Sequence, residues 1–393
     1  MDAPDHILTT HVGSLVRPPE LVEMIRAHEN GEQLDDAAFR ATLREAVTDV
    51  VRRQAEVGID IPSDGEYGKT WTWAWYVRER LGGFEERPWG PEGEREPSRT
   101  GYDRRRFADF YGEYVRQHQT AEGVRQRGQW VCVGPISYVG QDEIQRDIAD
   151  LKEAAAAAGV REAFLPVAAP ASVMPVRVDE HYGSDEELLF ALADALHEEY
   201  AAVVDAGLLL QIDDAFLATM YDTMVPPATL GDYREWAELR IEAVNRALRG
   251  IPPERCRYHV CWGSWNGPHV GDVALRDIVD LVLRVNVAGY SLEQANPRHE
   301  HEWRVWEDVA LPDGKHLLPG VISHATNVVE HPELVAERVT RLARLVGRER
   351  VVASTDCGFA QNPYIARVHP SIMWAKLDAL VEGARLATRT LWP

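Results

Sequence analysis

The run RYHVCWGS at positions 257–264 sets an imidazole, His259, and a thiol, Cys261, two residues apart at the end of a short apolar segment. Successive strand residues face opposite sides of a sheet, so this spacing turns both groups to one side. Working outward, similar strand-like segments occur at 7–15, 58–66, 129–137, 162–170, 208–216, 289–295, 317–324 and 351–359. Amphipathic helical patterns separate most of them. The stretch 185–207 closes on Gly207, and 331–347 opens with Pro332 and closes on Gly347, as helix termini prefer. Repeated strand–helix units predict an α/β protein with a parallel sheet, and about eight of them predict a (β/α)8 TIM barrel in a single domain. Nine candidate strands compete for eight places, so either the first segment or 129–137 is an accessory hairpin. The stretch EERPWGPEGEREPSRTGYDRRR (85–106), rich in Pro, Gly and charge, reads as a long excursion, a lid or a subunit contact.

Bulk composition narrows the function. The chain has 393 residues, 45% of them hydrophobic, enough for one large core. No apolar run approaches the roughly 20 residues that span a bilayer, and the start MDAPDHILTT lacks a signal-peptide pattern. Four cysteines in so long a chain argue for reduced thiols in a cytoplasm rather than a disulfide scaffold. A net charge of -21 opposes nucleic acid and anionic membranes, which leaves small molecules as the expected partners; monomer and homo-oligomer both stay open. The run Arg104, Arg105 and Arg106 reads as a solvated helix face.

Two further candidate ligands close separate strand-like segments: Glu293 in GYSLEQANPRHEHEW (289–303) and Cys357 in VVASTDCGF (351–359). A His, a Glu and two Cys make a four-ligand zinc set, His259, Cys261, Glu293 and Cys357. A thiol that displaces one ligand binds such a zinc as a thiolate and stays nucleophilic, which suits attack on an electrophilic carbon. The plainer alternative makes Cys261 and Cys357 small buried hydrophobes and His259 a core histidine. The occurrence of all four at expected strand ends favours zinc. Cys132 and Cys256 have no partner in this scheme and read as structural. The pair His299 and His301 supports a different class, a metal-dependent hydrolase with a water nucleophile; the preferred role for His299 is behind the ligands or against substrate. A third reading is a non-catalytic barrel with structural zinc. After DGE (64–66), Trp71, Trp73 and Trp75 alternate, and Trp71 and Trp75 share a face if the segment is helical. They form either helix core or an aromatic wall that selects the electrophile or cages a cation.

Together these motifs resemble the catalytic barrel of the cobalamin-independent methionine synthases, and still more their short single-barrel relatives such as epoxyalkane:coenzyme M transferase. The resemblance is carried by TTHVGSL (9–15), DGE (64–66), QIDD (211–214), HVCWGSWNGPH (259–269), LEQANPRHEHEW (292–303), PGVISHATNVVEHPEL (319–334) and STDCGF (354–359). It implies a zinc-dependent transfer of an alkyl group, methyl first, to a thiol, as in methyltetrahydropteroyltriglutamate–homocysteine S-methyltransferases. The family's zinc ligands fall on His259, Cys261, Glu293 and Cys357. Its amino-acid site falls on Ser14, Glu66 and Asp213, with the two carboxylates suited to an ammonium and Ser14 to a carboxylate. Its proton donor falls nearest His324, one residue closer to PGV than the family spacing. Homocysteine is the favoured thiol. The alternative is epoxide opening by coenzyme M, whose sulfonate would draw on Lys69 and Arg298. The resemblance also implies a departure, since the separate N-terminal barrel of full-length methionine synthases has no counterpart here.

Overall fold

The computed structural model describes residues 5–33, 35–70, 72–88, 101–118 and 128–393. Trp71 and the middle of the 85–106 stretch lie outside the described residues.

Ten strands are present among them: β1 (Leu8–Thr9), β2 (Leu81–Arg87), β3 (Gln129–Tyr138), β4 (Phe164–Ala168), β5 (Arg177–Asp179), β6 (Leu209–Asp214), β7 (Cys256–Val260), β8 (Gly289–Glu293), β9 (His316–Ile322) and β10 (Val352–Thr355). Seven form one parallel sheet in the order β1-β10-β9-β8-β7-β6-β4. The gap between β1 and β4 is filled by residues around 59–62. Thr10 bridges Ile61 in parallel. The Ile61 amide donates to Thr9 at 3.1 Å, and the Phe164 amide donates to Pro62 at 3.0 Å. The sheet therefore curls into an eight-stave ring, and the expected TIM-type barrel is present. The surplus ninth candidate is β3, which pairs with β2 and β5 in a separate three-stranded sheet. The start of the 85–106 stretch is the end of β2, and its far end is the short helix Tyr102–Arg106.

Local chemistry sets the helix limits. Asp35 caps the helix Asp36–Val57 by accepting from the amides of Ala37 and Ala38, and Gly58 ends it at φ 102°. Ser184 caps Asp185–Asp205, after which Gly207 takes φ 87°. Pro332 opens and Gly347 closes the helix Pro332–Val346. No helix among the described residues is long and apolar enough to cross a membrane.

The pleat assigns each strand residue a job. On β7 the alternation turns Arg257, His259 and then Cys261 to the barrel axis, where Arg257 donates to Thr10 Oγ1 and the His11 carbonyl, both at 3.0 Å. On β6 it turns Gln211 and Asp213 inward, and the Gln211 amide donates to Asp213 Oδ1 at 2.7 Å. Asp214, one residue on, faces the helix layer. It accepts from Tyr258 Oη at 2.8 Å and caps the helix Ala215–Met224 through the Leu217 amide at 3.0 Å. On β8 the inward pair is Ser291 and Glu293.

Candidate active site

The ends of the barrel strands converge on a cavity of about 210 Å3. Its floor carries His259, Cys261 and Cys357, and its sides include Ser14, Glu66 and Asp213. The candidate donor atoms of His259, Cys261 and Cys357 all lie within 4.8 Å of one another. The two sulfurs are 3.4 Å apart and all four cysteines are free thiols. Sulfurs sharing a tetrahedral zinc at the usual ~2.3 Å bond length sit roughly 3.8 Å apart, close to this spacing. His259 Nδ1 is held by Ser291 Oγ at 3.1 Å, while its buried Nε2 has no hydrogen-bond partner. Burial keeps this imidazole neutral, pushing it down to about 3. A neutral ring with one nitrogen fixed and the other bare beside two thiols is the chemistry of a metal ligand. The Cys261 thiol is held well above its usual value by its hydrogen bond with Cys357, by burial and by the charge of Glu293. A dication between the sulfurs reverses that balance. These residues fit a zinc ion.

Glu293 stands apart from this trio. It groups with His324 and Asp356, all three offering atoms within 4.8 Å of one another. Its Oε1 accepts from the Trp262 amide at 2.9 Å and its Oε2 from Asn296 Nδ2 at 2.7 Å. It nonetheless faces Cys261 closely enough to raise that thiol. Asp356 accepts the amides of Gln294 and Ala295 on Oδ1, both at 2.8 Å, and leaves Oδ2 without a partner. His324 is buried with both ring nitrogens unpartnered, and burial holds it well below its usual value.

On the acidic side, Asp213 is pushed up to about 8 by burial and then by the neighbouring charge of Glu66. Glu66 takes φ 60°, an unusual conformation for a residue with a Cβ. The Asp64 carboxylate holds the turn by accepting the Glu66 amide at 2.9 Å, and Arg17 donates to the Glu66 carbonyl. Lys69 Nζ lies 3.6 Å from Glu66 Oε1. Ser14 does reach the cavity, yet its hydroxyl donates to the Ala360 carbonyl.

The aromatic wall differs from expectation. Trp73 lines the cavity, with Phe216 at a 6.2 Å ring separation and Trp265 nearby, whereas Trp75 does not. Trp75 begins a short 3-10 helix, packs on the main core and stacks against Arg78 at 5.0 Å. The turn at 72–74 is not helical, so helical spacing did not mark Trp73. Trp265 folds back over Gly263, where a Cβ would meet its ring at 1.8 Å. Arg367 and Gln361 also line the cavity. No periodicity marked Phe216, Trp265, Gln361 or Arg367; the Gly-rich run WGSWNGPH after the His259–Cys261 pair was the one available signal.

His299 and Arg298 do not line the cavity. Arg298 is exposed and donates to the His269 carbonyl at 2.8 Å. His299 is buried between Glu302 at 2.7 Å and Asp272 at 2.9 Å. Asp272 also holds His269 at 3.0 Å, and the His269 ring stacks on Trp265 at 4.6 Å. His299 therefore braces the aromatic wall from behind. His301 is exposed, so the two histidines of the hydrolase reading do not converge.

With this geometry, known proteins of similar sequence become informative. No protein-family model matches the chain. It is 26% identical over 388 residues to a methionine synthase of Thermococcus kodakarensis, a match spanning 98% of this chain and 94% of that protein. The chain is similar to methionine synthases over nearly its whole length. A methionine synthase of Sulfurisphaera tokodaii gives 25% identity over 396 residues, covering 100% of this chain and 95% of that one. A B12-independent methionine synthase from Shewanella sp. W3-18-1, solved with selenomethionine, superposes with a TM-score of 0.70 at 20% identity, over 98% of this chain and 99% of that one. That superposition bears out the barrel.

Proposed function

We propose that this chain is a zinc-dependent thiol S-methyltransferase of the methionine-synthase kind, with homocysteine as the thiol. The observation that carries the reading is the pair of sulfurs 3.4 Å apart facing the bare Nε2 of His259 at the base of a cavity. His259, Cys261 and Cys357 would hold the zinc, and Glu293, which faces Cys261, completes the donor set. Bound there, zinc supplies a Lewis acid that keeps a substrate sulfur as thiolate at neutral pH.

The chain's own groups do the rest. Lys69 already offsets Glu66, so of the two carboxylates Asp213 is the one left to receive an ammonium. Raised to about 8, Asp213 gives up its proton when a cation docks beside it. Trp73, Phe216 and Trp265 exclude water from the reacting carbon. His324, which groups with Glu293 and Asp356 rather than lining the cavity itself, is the chain's candidate to move a proton at the leaving atom. The similarity to methionine synthases supports methyl as the group transferred.

Zinc-edge X-ray absorption on the purified protein tests this reading, before and after adding homocysteine. The expected result is one zinc per chain and one additional sulfur neighbour with the thiol. Zinc that gains no sulfur, or Cys261→Ser and Cys357→Ser variants with undiminished activity, would overturn it.

A further inference from the structure

The cavity has an acidic side at Glu66 and Asp213, and one cationic side chain among the described residues that line it, Arg367. Among the described residues this guanidinium hydrogen-bonds to neutral groups. Nε donates to Gln361 Oε1 at 3.1 Å and Nη1 donates to Tyr114 Oη at 3.2 Å. No carboxylate among the described residues pairs with it, although the chain has 63 acidic residues to offer. A partly buried arginine without a counter-ion is costly unless a ligand brings one. Arg367, Cys261 and Cys357 line the same cavity. Any thiol bound there would carry the rest of its short skeleton past this guanidinium.

The expected alternative for an anionic group was Ser14, but its hydroxyl is committed to the Ala360 carbonyl. Gly358, Gln361 and Arg367 belong to the same wall, tied to Ser14 by the Phe359 amide donating to the Ser14 carbonyl at 2.7 Å. The Arg367 amide in turn donates to the Phe359 carbonyl at 2.9 Å. The loop that carries Cys357 thus delivers the cation as well.

We propose that Arg367 anchors the anionic end of the thiol substrate, a carboxylate or a sulfonate, opposite the acidic side of the cavity. This rests on the thiol-transferase reading and adds to it the residue that selects the thiol. An amino-acid thiol would span both sides, its ammonium at Asp213 and its carboxylate at Arg367. A sulfonate thiol would use Arg367 alone.

The test compares the zinc-loaded wild type with Arg367→Gln and Arg367→Lys, using homocysteine, coenzyme M and the uncharged 2-mercaptoethanol. Zinc content, the zinc-edge sulfur signal and thiol Kd by calorimetry are the readouts. Removing a charge-assisted pair weakens binding roughly 10- to 100-fold. The glutamine variant should lose about that much for the preferred anionic thiol, keep its zinc, and bind 2-mercaptoethanol within about twofold of wild type. The lysine variant should recover part of the loss and, should the glutamine variant not fold, carries the same comparison with a smaller change. Wild-type preference for homocysteine assigns a carboxylate, and preference for coenzyme M a sulfonate. Equal losses for all three thiols, or loss of zinc, would overturn the proposal and make Arg367 a counter-charge to the metal site. If no thiol adds sulfur to wild-type zinc, the parent reading falls and this one with it.

Discussion

At the scale of single residues, the zinc reading turns on how His259 is aimed. Ser291 holds Nδ1 and leaves Nε2 without a hydrogen-bond partner, in a ring that groups with the two thiols. Partners of this kind are worth about 10- to 100-fold in metal affinity, so Ser291→Ala should weaken zinc binding by that factor in a chelator competition. A variant that holds zinc as tightly as wild type would mean that His259 is not a ligand. The aromatic wall offers a second contrast. Trp73→Ala should raise KM for the alkyl donor several-fold, whereas Trp75→Ala should act on stability alone, because Trp75 packs on the core and Arg78. Equal effects on KM would show that the cavity boundary lies elsewhere. His259 and Cys261 could be found in the sequence because strand alternation fixes their common face before any tertiary contact forms. Arg367 could not, since its place depends on residues 359–367 folding back toward Ser14, and no local pattern encodes that return.

Elements were legible to different degrees for reasons that follow from how each is stabilised. The barrel strands are buried on both faces and read as apolar runs, so all eight places had a candidate. The stave at 58–62 was readable because Gly58 ends one helix and IDIP resumes an extended, apolar stretch. The accessory strand β3 looked the same, since a half-covered sheet needs apolar residues too. Its partners β2 and β5 are fixed by pairing rather than by their own sequence, and neither was expected. Caps, in contrast, are local. Thr229 and Asp232 form a reciprocal capping box on the helix Leu230–Ala247. Thr229→Ala should cost about 1 kcal/mol in urea unfolding and leave thiol affinity unchanged, since the helix lies outside the barrel ring and the cap is exposed. An altered thiol Kd would tie this helix to the site.

For the whole molecule, the buried charge cluster behind Trp265 joins the loops that follow β7 and β8 and makes stability depend on pH. Burial opposes the charging of His299, but hydrogen bonds to Asp272 and Glu302 prevail and push it up to about 10. Burial likewise raises Asp272, yet His269 and His299 outweigh it and hold the carboxyl below its usual 3.8. The signs differ. A histidine raised on folding lends stability that is complete below its unfolded value near 6.5 and is lost as pH climbs through about 10. An aspartate lowered on folding lends stability present above 3.8 and lost as pH falls below it. The cluster is therefore most stabilising between those two unfolded values. Wild-type urea midpoints should decline from pH 7 to pH 10, and His299→Gln, less stable at pH 6, should lose much less over the same interval. Parallel declines in the two proteins would show that His299 is not charged in the folded state. Because His269 links this cluster to the ring of Trp265, the same rise in pH should loosen the aromatic wall before the barrel unfolds. Tryptophan fluorescence that shifts ahead of the far-ultraviolet circular dichroism, in wild type and not in His299→Gln, is the expected signature.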